Sequence, residues 1–129
     1  MAARYEGFLE HRDENGKTQE VRILFTNRAL AEAEQAMGKG VIGVAQGFST
    51  GSTGLFEVAH LLRAGMEHAR REAKQRGRPI TLNDAYEILD TFGFSRVAQM
   101  VMESVAAVLS YDPDNILPNQ PENGADPNG

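Results

Sequence analysis

From Leu55 to Val108 apolar side chains recur every three or four residues, and two breaks, Gly77-Arg78-Pro79 and Gly93, cut the pattern into three pieces. That spacing gathers the apolar side chains of each piece on one side of an α-helix. Leu55, Val58, Ala59, Leu62, Met66, Ala69 and Ala73 predict a long helix that starts near Ser52 or Thr53. Arg70, Arg71, Lys74 and Arg76 cluster at its C-terminal end, where positive charge opposes the negative end of the helix dipole. Gly77 stops this helix, and Pro79 prevents its continuation. Thr81-Leu82-Asn83-Asp84 resembles a capping box with Asp84 in the usual place of Glu. It opens a short helix whose buried side is Ala85, Tyr86 and Leu89, closed by Gly93. A last helix runs from about Ser95 to Ser110. Its Val97, Met100, Val101, Ser104, Val105 and Val108 make a broader apolar surface than one core-facing stripe requires.

Residues 4–25 read differently. Val21, Ile23 and Phe25 alternate with Arg22 and Leu24, which is strand periodicity. Upstream, Tyr5, Phe8 and Leu9 form a short apolar patch, and Asn15-Gly16 between the two arms is a strong turn signal because both residues tolerate positive φ. The pattern predicts a β-hairpin. Thr26-Asn27 then caps a short helix carrying Leu30, Ala33 and Met37, with Gly38 as its stop. Residues 38–54 hold six of the thirteen glycines around Val41-Ile42-Gly43-Val44-Ala45. That much glycine weakens helix and strand alike, and the segment stays open between a loop, an extended piece and a helical one. The expected fold is mainly α (α+β): an N-terminal β-hairpin followed by about four helices.

A chain of 129 residues fits one domain, and 41% hydrophobic residues supply one modest core. Trp is absent and aromatics are few, so that core is largely aliphatic. The net charge of −5 is uneven. Residues 112–129 hold four acidic side chains, four of the five prolines, four asparagines and neither Lys nor Arg. Such a segment buries too little apolar area to offset its ordering entropy. The expected organisation is a helical domain over 1–111 and a disordered acidic tail over 112–129. Ile116-Leu117 is the tail's one apolar pair, and the tail is read equally as a docking arm or as inert. A nearly neutral body with an acidic tail argues against a general nucleic-acid binder, which needs a basic field. Without Cys there are no disulfides, thiolate metal sites or Cys nucleophiles. No apolar run approaches the roughly 20 residues that span a bilayer, and Met1-Ala-Ala-Arg-Tyr-Glu-Gly contains no apolar signal core. The expected location is the cytoplasm, with no membrane partner.

Several short motifs match catalytic patterns in letters but not in context. Gly38-Lys39-Gly40-Val41-Ile42-Gly43 fits G-x-G-x-x-G, yet it follows a helix where a dinucleotide site needs a strand. Gly47-Phe48-Ser49-Thr50-Gly51 fits G-x-S-x-G, but a hydrolase also needs a multi-stranded sheet, then an acid and a distant His after the Ser. Only His60 and His68 follow, both on the next helix. Glu57-x-x-His60 has a di-iron spacing in a single copy, too few ligands for a metal. The cluster Arg70, Arg71, Lys74, Arg76, Arg78 can touch phosphates, and it is equally what dipole compensation and solubility produce. No catalytic, cofactor or metal site follows from these residues.

One resemblance extends further. Leu24-Phe25-Thr26-Asn27-Arg28-Ala29-Leu30-Ala31-Glu32-Ala33-Glu34, followed by Met37-Gly38, resembles the opening of the tail assembly chaperones of long-tailed phages and gene transfer agents, where a strand leads into a helix of the form F-x-N-x-A-L-x-x-x-E. Leu61-Leu62-Arg63-Ala64-Gly65-Met66 is similar to that family's L-L-W-A-G-L. Ile80-Thr81-Leu82-Asn83-Asp84-Ala85 with Ile88-Leu89-Asp90 and Gly93 is similar to its L-T-x-E-x-A-x-x-L-I-D-x-x-G. The likeness covers about residues 17–109. Arg63 stands where an aromatic is common, and the 38–54 segment is unusually rich in Gly. The resemblance implies a protein that is not an enzyme and uses no cofactor. Such proteins bind the tape measure protein, keep its apolar helices from aggregating, help recruit tail tube subunits and are absent from the finished virion. Many are extended at the C-terminus by ribosomal frameshifting. Self-association stays open.

The residues themselves accord with protein binding. A helical body that exposes an apolar stripe can hold a partner helix in a groove. The last helix is the expected contact surface, through Val97, Met100, Val101, Val105 and Val108, with Met100 adaptable to repetitive clients. The competing expectations are a structural part of the virion, as a head–tail connector or tail completion protein, and a small helical regulator that binds DNA through residues 70–78.

Overall fold

The computed structural model describes residues 3–114. The expected tail beyond residue 114, with Ile116-Leu117, lies outside the described residues. Strands β1 (Tyr5–Arg12) and β2 (Thr18–Phe25) pair antiparallel, from Tyr5 opposite Phe25 to Arg12 opposite Thr18. The turn differs from an Asn-Gly hairpin. Only Gly16 has positive φ there, at 83°, and Asn15 does not. The Asp13 carboxylate accepts the amides of Asn15 and Lys17, each at 2.9 Å, and the Asp13 carbonyl accepts Gly16 N–H at 3.0 Å. Asp13 therefore organises a longer loop, which Asn15 enters at negative φ. Val21, Ile23 and Phe25 point into the core, while Arg22 lies across the Phe8 ring on the other face at 4.7 Å.

Five helices follow: α1 (Asn27–Met37), α2 (Val41–Thr50), α3 (Leu55–Glu72), α4 (Leu82–Phe92) and α5 (Phe94–Leu109). In α1, Thr26 Oγ1 accepts Ala29 N–H at 3.2 Å, and Gly38 ends the helix at φ 71°. In α4, Thr81 and Asp84 cap each other reciprocally, at 3.1 and 2.8 Å. Arg78 clamps the Asp84 carboxylate with two bonds and holds it well below the usual carboxylate range.

The fifth helix is α2, formed from the glycine-rich segment. Its stability comes from outside the helix. Glu34 of α1 accepts Val41 N–H at 2.8 Å, which satisfies one orphan amide and sets a negative charge at the positive end of the dipole. Val41 and Val44 are buried. The hydroxyls of Ser52 and Thr53 turn back to the Gly47 and Val44 carbonyls, so they close α2 and do not start α3. α3 begins at Gly54, whose amide is accepted by Glu57 at 2.8 Å.

α3 is the central element. Val58, Ala59, Leu61, Leu62, Ala64 and Gly65 are all buried in its first three turns, so its middle is enclosed on most sides. Leu55 and Ala73, expected on its buried side, are exposed. Gly65 lets α3 close onto β2. A Cβ added there would stand 2.9 Å from both Ile23 Cβ and Phe25 Cζ. Gly65→Ala forces these fully buried neighbours apart, and overpacking of this kind costs about 1–3 kcal/mol against a helix-propensity gain of about 1. The expected outcome is a net loss of about 1 kcal/mol by urea unfolding, although the same change in an exposed helix stabilises.

Candidate partner-binding groove

α5 lies beneath the hairpin, and its residue spacing divides it into two apolar stripes. Val97, Val101 and Val105 are fully buried, Val108 is 3% exposed, and Ser104 bonds back to the Met100 carbonyl at 2.8 Å. These valines form the core under β1 and β2 and do not offer a contact surface, because the hairpin needs an apolar floor on that side. Met100 is half-buried and lines a cleft with Tyr5, Gly7 and Leu9 of β1. The expected contact surface through Val97, Met100, Val101, Val105 and Val108 is therefore corrected. Those residues hold the hairpin down.

The second stripe lies one position further along. Phe94, Ala98, Met102 and Ala106 repeat every fourth residue and line one wall of a groove of about 620 Å³. Ala45, Phe48 and Ser49 of α2 form the other wall. Ala98 and Met102 make the floor, and Phe48 stands 37% exposed above it. Ile42, one turn before Ala45, is 62% exposed. Leu55 and Phe56 at the start of α3 are exposed as well. Among the described residues Glu103 is the one charged side chain that lines the groove, and Gln99 donates to it at 3.3 Å. The segment from Gly40 to Phe56 contains no charged side chain at all. That charge-free run was the sequence signal for this surface. It was obscured by the glycines, which hid the helix that displays Ile42 and Phe48.

The remaining polar groups serve as ties between elements. Glu67 is 2% exposed. It receives Arg70 at 2.7 and 2.9 Å, Arg71 at 2.9 Å and the Ile80 amide at 2.9 Å. These donors, Arg70 first, hold its carboxyl down to about 2 in spite of burial. Glu32 joins α1 to α3 through His68 at 3.0 Å, which lowers the Glu32 pKa. Glu57 is lowered too, by Lys39 and then by the Gly54 amide. Arg70 and Arg71 share the Glu67 carboxylate, Arg71 also lies 3.8 Å from Glu32, and Arg78 pairs with Asp84, so that of the basic cluster only Lys74 and Arg76 carry no ion pair among the described residues.

The motif matches resolve in the same way. The α2 N-terminus, the place a phosphate would take, is occupied by the Glu34 carboxylate. Ser49 sits in the last turn of α2, on the groove wall, and no histidine lines that groove. His60 packs edge-on against Phe56 at 4.5 Å, and burial followed by the nearby Arg63 pushes its pKa down. Among the described residues no group of three or more His, Asp or Glu gathers to hold a metal. No single helix among them is long and apolar enough to cross a membrane. No family model, curated protein or solved structure matches the chain.

Proposed function

We propose that this protein is a non-enzymatic tail assembly chaperone of the phage and gene-transfer-agent type, which binds apolar helices of the tape measure protein and helps recruit tail tube subunits. The observation that carries this reading is the α2–α5 groove: an apolar floor of Ala98 and Met102, walls bearing Phe48 and Phe94, and a single charged lining residue. An amphipathic helix laid in such a groove buries its apolar stripe and keeps its polar side wet. A methionine floor adapts to successive, slightly different apolar turns of a long client. The residues from Leu24 to Gly93 that resemble the family's motifs give the reading its specific client.

Phe48 is the side chain to change, because it is exposed and its loss opens no core cavity. With the tape measure protein co-produced in the same cells, the wild-type chain is expected to retain it on affinity capture. Phe48→Asp is expected to retain about tenfold less, since removing an aromatic anchor commonly costs 1–2 kcal/mol, with an unchanged thermal transition. Absence of the tape measure protein from the wild-type capture would refute the client. Abundance of the chain in purified particles by mass spectrometry would favour a virion component instead.

A further inference from the structure

β1 carries a row of backbone groups that its own sheet does not use. The sheet has two strands, so β1 is paired on one side only. The closing bond of the hairpin, from the Asp13 amide to the Lys17 carbonyl at 2.9 Å, sets the phase of the ladder. Counted back along the register, His11, Leu9 and Gly7 exchange bonds with Gln19, Val21 and Ile23. Glu10, Phe8 and Glu6 fall between them, and their N–H and C=O groups point to the outer edge. One contact bears out this phase: Arg96 of α5 donates to the Glu10 carbonyl at 2.6 Å. The outward groups of Glu6 and Phe8 have no such partner among the described residues. Beside them α5 leaves a cleft of about 320 Å³, lined by Gly7 and Phe8 of β1 and by Gln99, Met100 and Glu103 of α5.

We infer that the outer edge of β1 accepts an extended strand of a basic partner, with an apolar residue opposite Phe8 and a Lys or Arg opposite Glu10. An added strand satisfies the outward amides and carbonyls, as in other sheet-edge complexes. The charges on the exposed face define its chemistry. Glu10 stands directly opposite Glu20 in the hairpin, and Glu20 has Arg22 only at 3.8 Å. Glu10 itself has no ion pair among the described residues. Like charges that face each other across strands are unfavourable, and a cation on the next strand offsets them. Phe8, 45% exposed between Glu6 and Glu10, gives the central residue of the partner an apolar contact. Glu103 adds a further carboxylate on the α5 side of the cleft. A second copy of β1 that set Phe8 against Phe8 would place Glu6 opposite Glu10 twice, and is the poorer occupant. The edge lies across the Gln99–Glu103 ridge of α5 from the α2–α5 groove, and the inference does not depend on the reading of that groove.

The test uses the full chain and two capped peptides, one centred on Arg-Thr-Val-Thr-Arg and the other on Glu-Thr-Val-Thr-Glu. Amide hydrogen exchange is followed by NMR. In the free protein the Glu6 and Phe8 amides are expected to exchange fast and those of Gly7 and Leu9 slowly. With about 90% of sites filled, the basic peptide should slow Glu6 and Phe8 about tenfold. It should bind about fivefold more tightly than the acidic peptide, from one attraction replaced by one repulsion. Glu10→Lys turns the Glu10–Glu20 pair into opposite charges, so this variant keeps its fold while the preference for the basic peptide falls to about twofold or less. Unchanged exchange at Glu6 and Phe8 overturns the inference. Equal binding of the two peptides overturns the basic partner. Slowing that appears without peptide as the protein is concentrated also overturns it, because the occupant is then a second copy. No tape measure protein is present, so failure here is separate from failure of the affinity capture.

Discussion

Phe25→Ala is expected to lower the unfolding free energy by about 3–5 kcal/mol, the range for removing a fully buried aromatic ring. For a domain with about 110 ordered residues this corresponds to a fall in Tm of roughly 12–25 °C. The side chain is fully buried, at the end of β2 where the hairpin passes into α1. Its ring fills the space that Gly65 leaves open on α3. The cavity after truncation is bounded by β2 and the central helix, neither of which can collapse without breaking the strand pairing or the α3 packing. The contact also predicts a coupling. Phe25→Leu shortens the ring that a Gly65 methyl would strike, so Gly65→Ala should cost less in the Phe25→Leu background than in wild type, by about 1 kcal/mol in a double-mutant cycle. Additive costs would mean that α3 and β2 do not close through this pair.

That interlock explains which parts of the fold were legible. Thr26, Gly38, Thr81 with Asp84, and Gly93 mark helix ends by chemistry confined to a few residues, so sequence alone places α1, α4 and the start of α5 closely. α2 was not legible, because what holds it is remote: the Glu34 carboxylate, the burial of Val41 and Val44, and the hydroxyl of Thr53. Gly47 reads locally as a helix breaker. In the fold a Cβ there would stand 2.6 Å from Ser52 Oγ and 2.7 Å from Thr53 Oγ1, so glycine is what lets the α2–α3 connection fold back. The groove was displaced by a single helical position for a related reason. Periodicity shows that α5 is apolar over a broad arc, but not which stripe meets the hairpin. The hairpin takes Val97, Val101 and Val105, and leaves Phe94, Ala98, Met102 and Ala106 to face α2. Neither choice is encoded within α5 itself.

Glu67→Gln is expected to cost about 3 kcal/mol at pH 7 and almost nothing near pH 2. Glu67 on α3 ties down the connection to α4, since it accepts the Ile80 amide while both Arg70 and Arg71 reach it from the next turn. The folded carboxyl titrates at about 2 against an ordinary 4.5, and a difference of about 2.5 units is worth about 3 kcal/mol at 1.36 kcal/mol per unit. A depressed carboxyl binds its proton more weakly when folded than when unfolded. Its contribution is therefore complete above about pH 5 and disappears as the pH falls from 4.5 through 2. Glutamine keeps one acceptor for Ile80 or Arg70, but it leaves a guanidinium without a counter-charge beside a side chain that is only 3% exposed. Urea unfolding of wild type and variant at pH 7, 4 and 2.5 measures the difference directly. The gap should be near its full value at pH 7, smaller at pH 4 and mostly closed at pH 2.5. A gap of equal size at all three values would mean that Glu67 acts by shape alone, with its charge irrelevant to holding α3 against the α4 connection.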